Sequence, residues 1–123
     1  MAKKILVVDD DPVVTRLVSS VLVTQGFNVS CVDNGLDALV KLKKEKFELV
    51  VLDVMMPEIN GYDVCYQLRF NQEYEQIPIV IVTSREQELE DKIGKREDIE
   101  YLQKPIDSKL LLEKIDLLLK KKK

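Results

Sequence analysis

Reactive side chains stand at the ends of apolar runs in this chain. "ILVV", Ile5 to Val8, runs into Asp9, Asp10 and Asp11; "LVVL", Leu49 to Leu52, runs into Asp53; "IVIV", Ile79 to Val82, runs into Thr83. A further candidate, Lys104, follows "IEYLQ" and precedes Pro105. Carboxylates serve as hard oxygen ligands for a cation or as nucleophiles, while a hydroxyl and an ammonium can hold an anionic oxygen. Histidine is absent, which removes histidine-based triads, the commonest transition-metal ligand and phosphohistidine chemistry from the chain itself.

The elements that would position these groups follow from periodicity. The three runs are continuous rather than alternating, as in strands covered on both faces. Weaker runs, "VSCV" from Val29 and "IEYL" from Ile99, predict outer strands. Helical spacing joins Val14, Leu17, Val18, Val21 and Leu22 after the first strand, and Leu36, Leu39 and Val40 after the second. Val64, Cys65 and Leu68 follow the third, and Leu111, Leu112, Ile115, Leu118 and Leu119 the fifth. The stretch after the fourth strand is poorer: 11 of the 17 residues from Ser84 to Glu100 are charged, which leaves little to bury. Strand and helix thus alternate five times, with turns such as "QGFN" and "DNG" between them. That alternation predicts an α/β fold, a parallel sheet with helices on both faces and right-handed crossovers.

Composition sets the outer bounds. A chain of 123 residues, 46% hydrophobic, suits one compact domain with one core. No run approaches the roughly 20 apolar residues that span a bilayer, and "MAKKILVVDDD" turns acidic where a signal peptide continues apolar. A soluble, cytoplasmic protein is expected, with residues 1–119 as the domain and Lys120 to Lys123 as a basic tail. Cys31 and Cys65 form no Cys-x-x-Cys pair, so two buried thiols are expected rather than a disulfide or zinc site. The net charge is −3, and without the last four lysines 15 basic residues face 22 acidic ones. No basic stripe remains for nucleic acid, and neither nucleic acid nor membrane is an expected partner.

In open α/β sheets ligands bind beyond the carboxyl ends of the strands, and every candidate polar residue lies there. Asp11, immediately before Pro12, reads as a helix N-cap. If the strand order is 2-1-3-4-5, Asp9, Asp10 and Asp53 share one pocket, and carboxylates this close need a cation. Hard oxygen ligands with room for water suit Mg²⁺. Such a pocket suits phosphoryl transfer, with Asp53 attacking phosphorus and Thr83 and Lys104 holding the remaining charge. Taken singly, these residues read as a cap, a strand end and a solvated lysine. Gathered at the ends of four strands, they read as a site.

With these motifs in order, "VVDDD", "LDVMMPEING", "VTS" and "KP", the chain resembles over essentially its whole length the receiver domain of two-component response regulators. The resemblance implies a flavodoxin-like fold with strand order 2-1-3-4-5. It implies that a sensor histidine kinase or phosphotransfer protein donates a phosphoryl group from phosphohistidine to Asp53, with Mg²⁺ as cofactor. Asp10 would then bind the metal directly, Asp9 mainly through water, and Met55 through its backbone carbonyl. Thr83 and Tyr101 would form a switch pair that alters a surface read by a downstream protein. The domain would catalyse its own phosphorylation and dephosphorylation while acting chiefly as a switch. The chain departs from the family pattern in one place: Gly94 lies seven positions before Tyr101, where a Gly-Ala pair commonly stands closer.

Two rival readings use the same residues. A haloacid-dehalogenase-like phosphatase fits "DDDPV" with Asp9 as nucleophile and Thr83 and Lys104 as its later motifs. It finds no acidic pair at a strand end after Lys104 and gives Asp53 no role. A non-phosphorylated pseudo-receiver, acting only in docking, is opposed by the presence of Asp9, Asp10, Asp53, Thr83 and Lys104.

Overall fold

The computed structural model describes residues 2–53, 77–83 and 98–121. The helical segments expected after the third and fourth strands, and with them Met55, Cys65 and Gly94, lie outside the described residues. All five expected strands are present: β1 (Lys4–Val8), β2 (Asn28–Val32), β3 (Leu49–Asp53), β4 (Ile79–Thr83) and β5 (Ile99–Gln103). They form one sheet in the order β2-β1-β3-β4-β5, and every neighbouring pair is parallel. Three helices are described, α1 (Pro12–Thr24), α2 (Gly35–Lys44) and α3 (Ser108–Lys121).

Alternation along the strands divides the core between the two sheet faces. Leu6, Val8, Val50, Leu52, Ile79 and Ile81 point to one face and pack with Ala38 and Leu42 of α2 and with Phe47. Ile5, Val7, Leu49, Val51, Val80 and Val82 point to the other and pack with Val18 and Leu22 of α1 and Leu111, Ile115 and Leu118 of α3. Both faces are covered, so the runs in β1, β3 and β4 had no polar alternation to show. Each such side chain contributes about 1.5–3 kcal/mol by leaving water.

The helix starts use acceptors placed by sequence. The side chain of Asp11 accepts from the Val13 N–H at 2.9 Å, with Pro12 opening α1, as expected of its position. Asn34 accepts from the Asp37 N–H at 2.8 Å and caps α2. Asp107 accepts from the N–H groups of Lys109 and Leu110 at the start of α3. Helix α1 ends in a Schellman turn, in which the Gly26 and Phe27 N–H groups donate to Val23 and Leu22. Gly26 takes φ of 90° there, a conformation that favours glycine.

Three sequence expectations change. Leu17, expected in the apolar stripe of α1, is exposed, and the buried residues of that helix are Val18 and Leu22. The buried stripe of α2 is Gly35, Ala38 and Leu42 with Leu39 partly covered, while Leu36 and Val40 face outward. Small Gly35 and Ala38 let the helix approach the sheet, and the positions 35, 38, 39 and 42 keep the helical period. Cys31 is exposed rather than buried, because β2 is an edge strand. At the opposite end of the sheet from the aspartates, Glu45 accepts from both Lys4 and Lys41. These two lysines hold the Glu45 carboxyl down to about 2, and Lys4 also lies over the Phe47 ring.

Candidate phosphoacceptor and metal site

The site assembles from strand ends. Val8 is in register with Leu52, so the next residues, Asp9 and Asp53, emerge side by side. Asp10 follows directly, and carboxylate oxygens of Asp9, Asp10 and Asp53 lie within 4.8 Å of one another. Asp9 and Asp53 are 3% and 2% exposed, whereas Asp10 is exposed. Two buried carboxylates and a third at the surface are therefore held together at the point where β1 and β3 adjoin.

The Lys104 ammonium offsets part of this charge. Lys104 Nζ lies 3.3 Å from Asp9 Oδ2 and 3.5 Å from Asp53 Oδ2. Its backbone N–H donates to the Thr83 carbonyl at 2.8 Å, which ties the residue after β5 to the end of β4. The Lys104–Pro105 peptide bond is cis. Asp9 also accepts the Asp11 N–H at Oδ1, 2.9 Å away. Burial pushes the Asp9 carboxyl from 3.8 up to about 6; the Asp11 N–H opposes that rise, the Asp53 charge adds to it and Lys104 opposes it. Burial alone would lower the Lys104 ammonium, but Asp53 and Asp9 outweigh it and raise its pKa.

A cleft of about 560 Å³ opens from Asp9 and Asp10 toward β2, with Thr15, Cys31, Asp33 and Asp37 among its walls. The clustered donors are all carboxylate oxygens, a set for a hard cation. The Cys31 thiol is raised by partial burial, with a hydrogen bond to Ser19 opposing.

The predicted residues thus separate into three groups. Asp9, Asp10, Asp53 and Lys104 meet directly. Thr83 is fully buried at the end of β4. It shares a sheet face with Tyr101, because Ile81, two residues before it, is in register with Tyr101. Tyr101 is 5% exposed and belongs to the core on the α2 side. Met55 lies outside the described residues. Sequence reasoning gave Asp11 a cap alone and missed its N–H contact to Asp9; the available signal was the Asp-x-Asp spacing, which suits an Asx turn.

Known proteins share this sequence pattern and this fold. Residues 5–116 match the response regulator receiver domain. Protein PilH of Pseudomonas aeruginosa is 36% identical over 117 residues, covering 94% of this chain and 97% of PilH. The alkaline phosphatase synthesis transcriptional regulatory protein PhoP of Bacillus subtilis is 34% identical over 122 residues, 98% of this chain and 50% of PhoP. The chain therefore spans nearly all of one relative and half of the other. The chemotaxis response regulator CheY4 of Vibrio cholerae superposes with a TM-score of 0.86 at 29% identity, covering 97% of this chain and all of CheY4. The parallel sheet with its acidic edge, matched across nearly the whole chain, places this protein in the response regulator receiver domain family, the phosphoacceptors of two-component signalling.

Proposed function

We propose that Asp53 is the phosphoacceptor and that Mg²⁺ is the cofactor. The observation that carries the choice of Asp53 is its place in the sheet: β3 lies between β1 and β4. Asp53 therefore has the Asp9 and Asp10 carboxylates on one side and the end of β4, with Thr83, on the other. Asp9 instead borders Val32 of β2, to whose carbonyl its N–H donates at 3.2 Å. Asp10 would hold the ion directly with Asp53, Asp9 would act mainly through water, and the Met55 carbonyl would complete the protein ligands. Bound there, Mg²⁺ supplies charge neutralisation for the phosphoryl oxygens.

An Asp53 carboxylate oxygen attacks phosphorus and forms an acyl phosphate. The bond from phosphorus to the donor's imidazole nitrogen breaks, and its electron pair leaves with that nitrogen. Lys104 moves its ammonium from between two carboxylates to the new anionic oxygens, and the Thr83 hydroxyl donates to the same group. Drawing Thr83 toward the phosphoryl group changes the face it shares with Tyr101, which is how the site would reach a protein-binding surface. The donor is a sensor histidine kinase or a phosphotransfer protein, the reader is a downstream protein, and the setting is the cytoplasm. Among the described residues no helix is long and apolar enough to cross a membrane.

Incubation with acetyl phosphate and Mg²⁺ tests this reading. One base-labile phosphoryl group should appear on the intact protein and be absent from Asp53→Asn. A steady phosphatase turnover lost in Asp9→Asn but kept in Asp53→Asn would replace it with the phosphatase reading.

A further inference from the structure

We propose that Asp11 is a positioning residue for the acidic site: it fixes the carboxylate of Asp9 through its own main-chain N–H, which its side chain holds in place by capping α1. Two hydrogen bonds in series connect the parts. The Asp11 N–H donates to Asp9 Oδ1 at 2.9 Å, and Asp11 Oδ1 accepts from the Val13 N–H at 2.9 Å. Pro12 between them has no N–H to offer, so the turn presents to Asp9 only the donor of Asp11. The Asp11 carbonyl accepts from the Thr15 N–H at 3.1 Å, the first bond of the helix.

The helix behind this turn is fixed by burial. Val18 and Leu22 are fully buried against the sheet, so the start of α1 cannot shift without disturbing the core. A buried carboxylate with two oxygens can rotate about its last bond. Here Oδ1 is held by the turn while Oδ2 faces Lys104. The orientation of Asp9 toward the neighbouring carboxylates is thereby set by α1 as well as by β1. The exposed carboxylate of Asp11 has its role through geometry rather than charge, and asparagine or serine at that position supplies the same acceptor.

This inference rests on the metal reading for its functional consequence, but the contact itself can be followed without metal. The experiment measures two quantities in the intact chain and in Asp11→Ala, Asp11→Asn and Asp11→Ser. They are Mg²⁺ affinity by calorimetry and, in metal-free protein, exchange protection of the residue-11 amide by NMR. Asp11→Ala should lose the amide protection and weaken Mg²⁺ about tenfold, near the lower end for loss of a group that orients a ligand. Asp11→Asn and Asp11→Ser should retain both. Asp11→Ala with reduced stability but unchanged affinity and protection would reduce Asp11 to a cap. Asp11→Asn as weak in Mg²⁺ binding as Asp11→Ala would make its charge the cause. If the unaltered chain binds no Mg²⁺, the metal reading fails by itself, and the amide protection still decides whether Asp11 orders the turn.

Discussion

Replacing Asp9 with asparagine should stabilise the metal-free protein at neutral pH. Asp9 is 3% exposed, beside Asp53, and its carboxyl is raised from 3.8 to about 6. A shift of about two pH units corresponds to about 3 kcal/mol of cost for ionising Asp9 in the folded state. The sign follows from proton counts. Between about 3.8 and 6 the folded chain keeps a proton at Asp9 that the unfolded chain has lost, so stability falls as pH rises through that window and levels off above it. Asparagine keeps the shape and an acceptor for the Asp11 N–H without the charge. Urea denaturation with EDTA, run on both proteins from pH 4 to pH 8, follows the effect, because the titrations of groups that do not face Asp9 cancel in the difference, leaving Asp9 with its neighbours Asp53 and Lys104. The gain should approach about 3 kcal/mol at pH 7.5 and shrink toward zero near pH 4. An equal or less stable Asp9→Asn at pH 7.5, or a gap that does not change with pH, would refute the reasoning.

The other predictions concern the neighbours of Asp9. Lys104→Met removes the ammonium lying between two buried carboxylates; with Lys104 partly exposed, metal-free stability should fall by about 1–2 kcal/mol. The same variant should bind Mg²⁺ at least as tightly by calorimetry, since the lysine and the ion would compete for the same oxygens. Asp10→Ala should leave stability nearly unchanged, because Asp10 is exposed, yet weaken Mg²⁺ more than Asp11→Ala does in the same titration. Tyr101→Ala empties a core position and should cost about 3 kcal/mol in urea denaturation; a loss well under 1 kcal/mol would mean that the ring is not packed there.

What could be read from the sequence followed the strength of the physical signal. Strands β1, β3 and β4 were plain because burial on both faces leaves an unbroken apolar run. The cap at Asp11 was legible because few residues suit the place before a helix-opening proline; "QGFN" was legible as a turn, though not as the Schellman turn that closes α1. The strand order came from resemblance, since periodicity does not say which strands are neighbours. The α2 stripe was misplaced because the large residues Leu36 and Val40 drew attention from Gly35 and Ala38, whose small size brings the helix close. Cys31 looked like core because a half-covered edge strand has the same composition as a covered one. At the candidate site, residue types and strand ends pointed to Asp9, Asp10, Asp53 and Lys104, which the structure brings together. The sharing of Lys104 by Asp9 and Asp53 depends on a register between β1, β3 and β5 that no local pattern contains.

Locating the phosphoryl group tests the central claim most directly. After reaction with acetyl phosphate and Mg²⁺, borohydride reduction converts an acyl phosphate on aspartate to homoserine, which peptide mass spectrometry can place. The account predicts homoserine at position 53 and nowhere else, with none formed when Mg²⁺ is withheld. Homoserine at position 9, or labelling that proceeds equally without the ion, would contradict it.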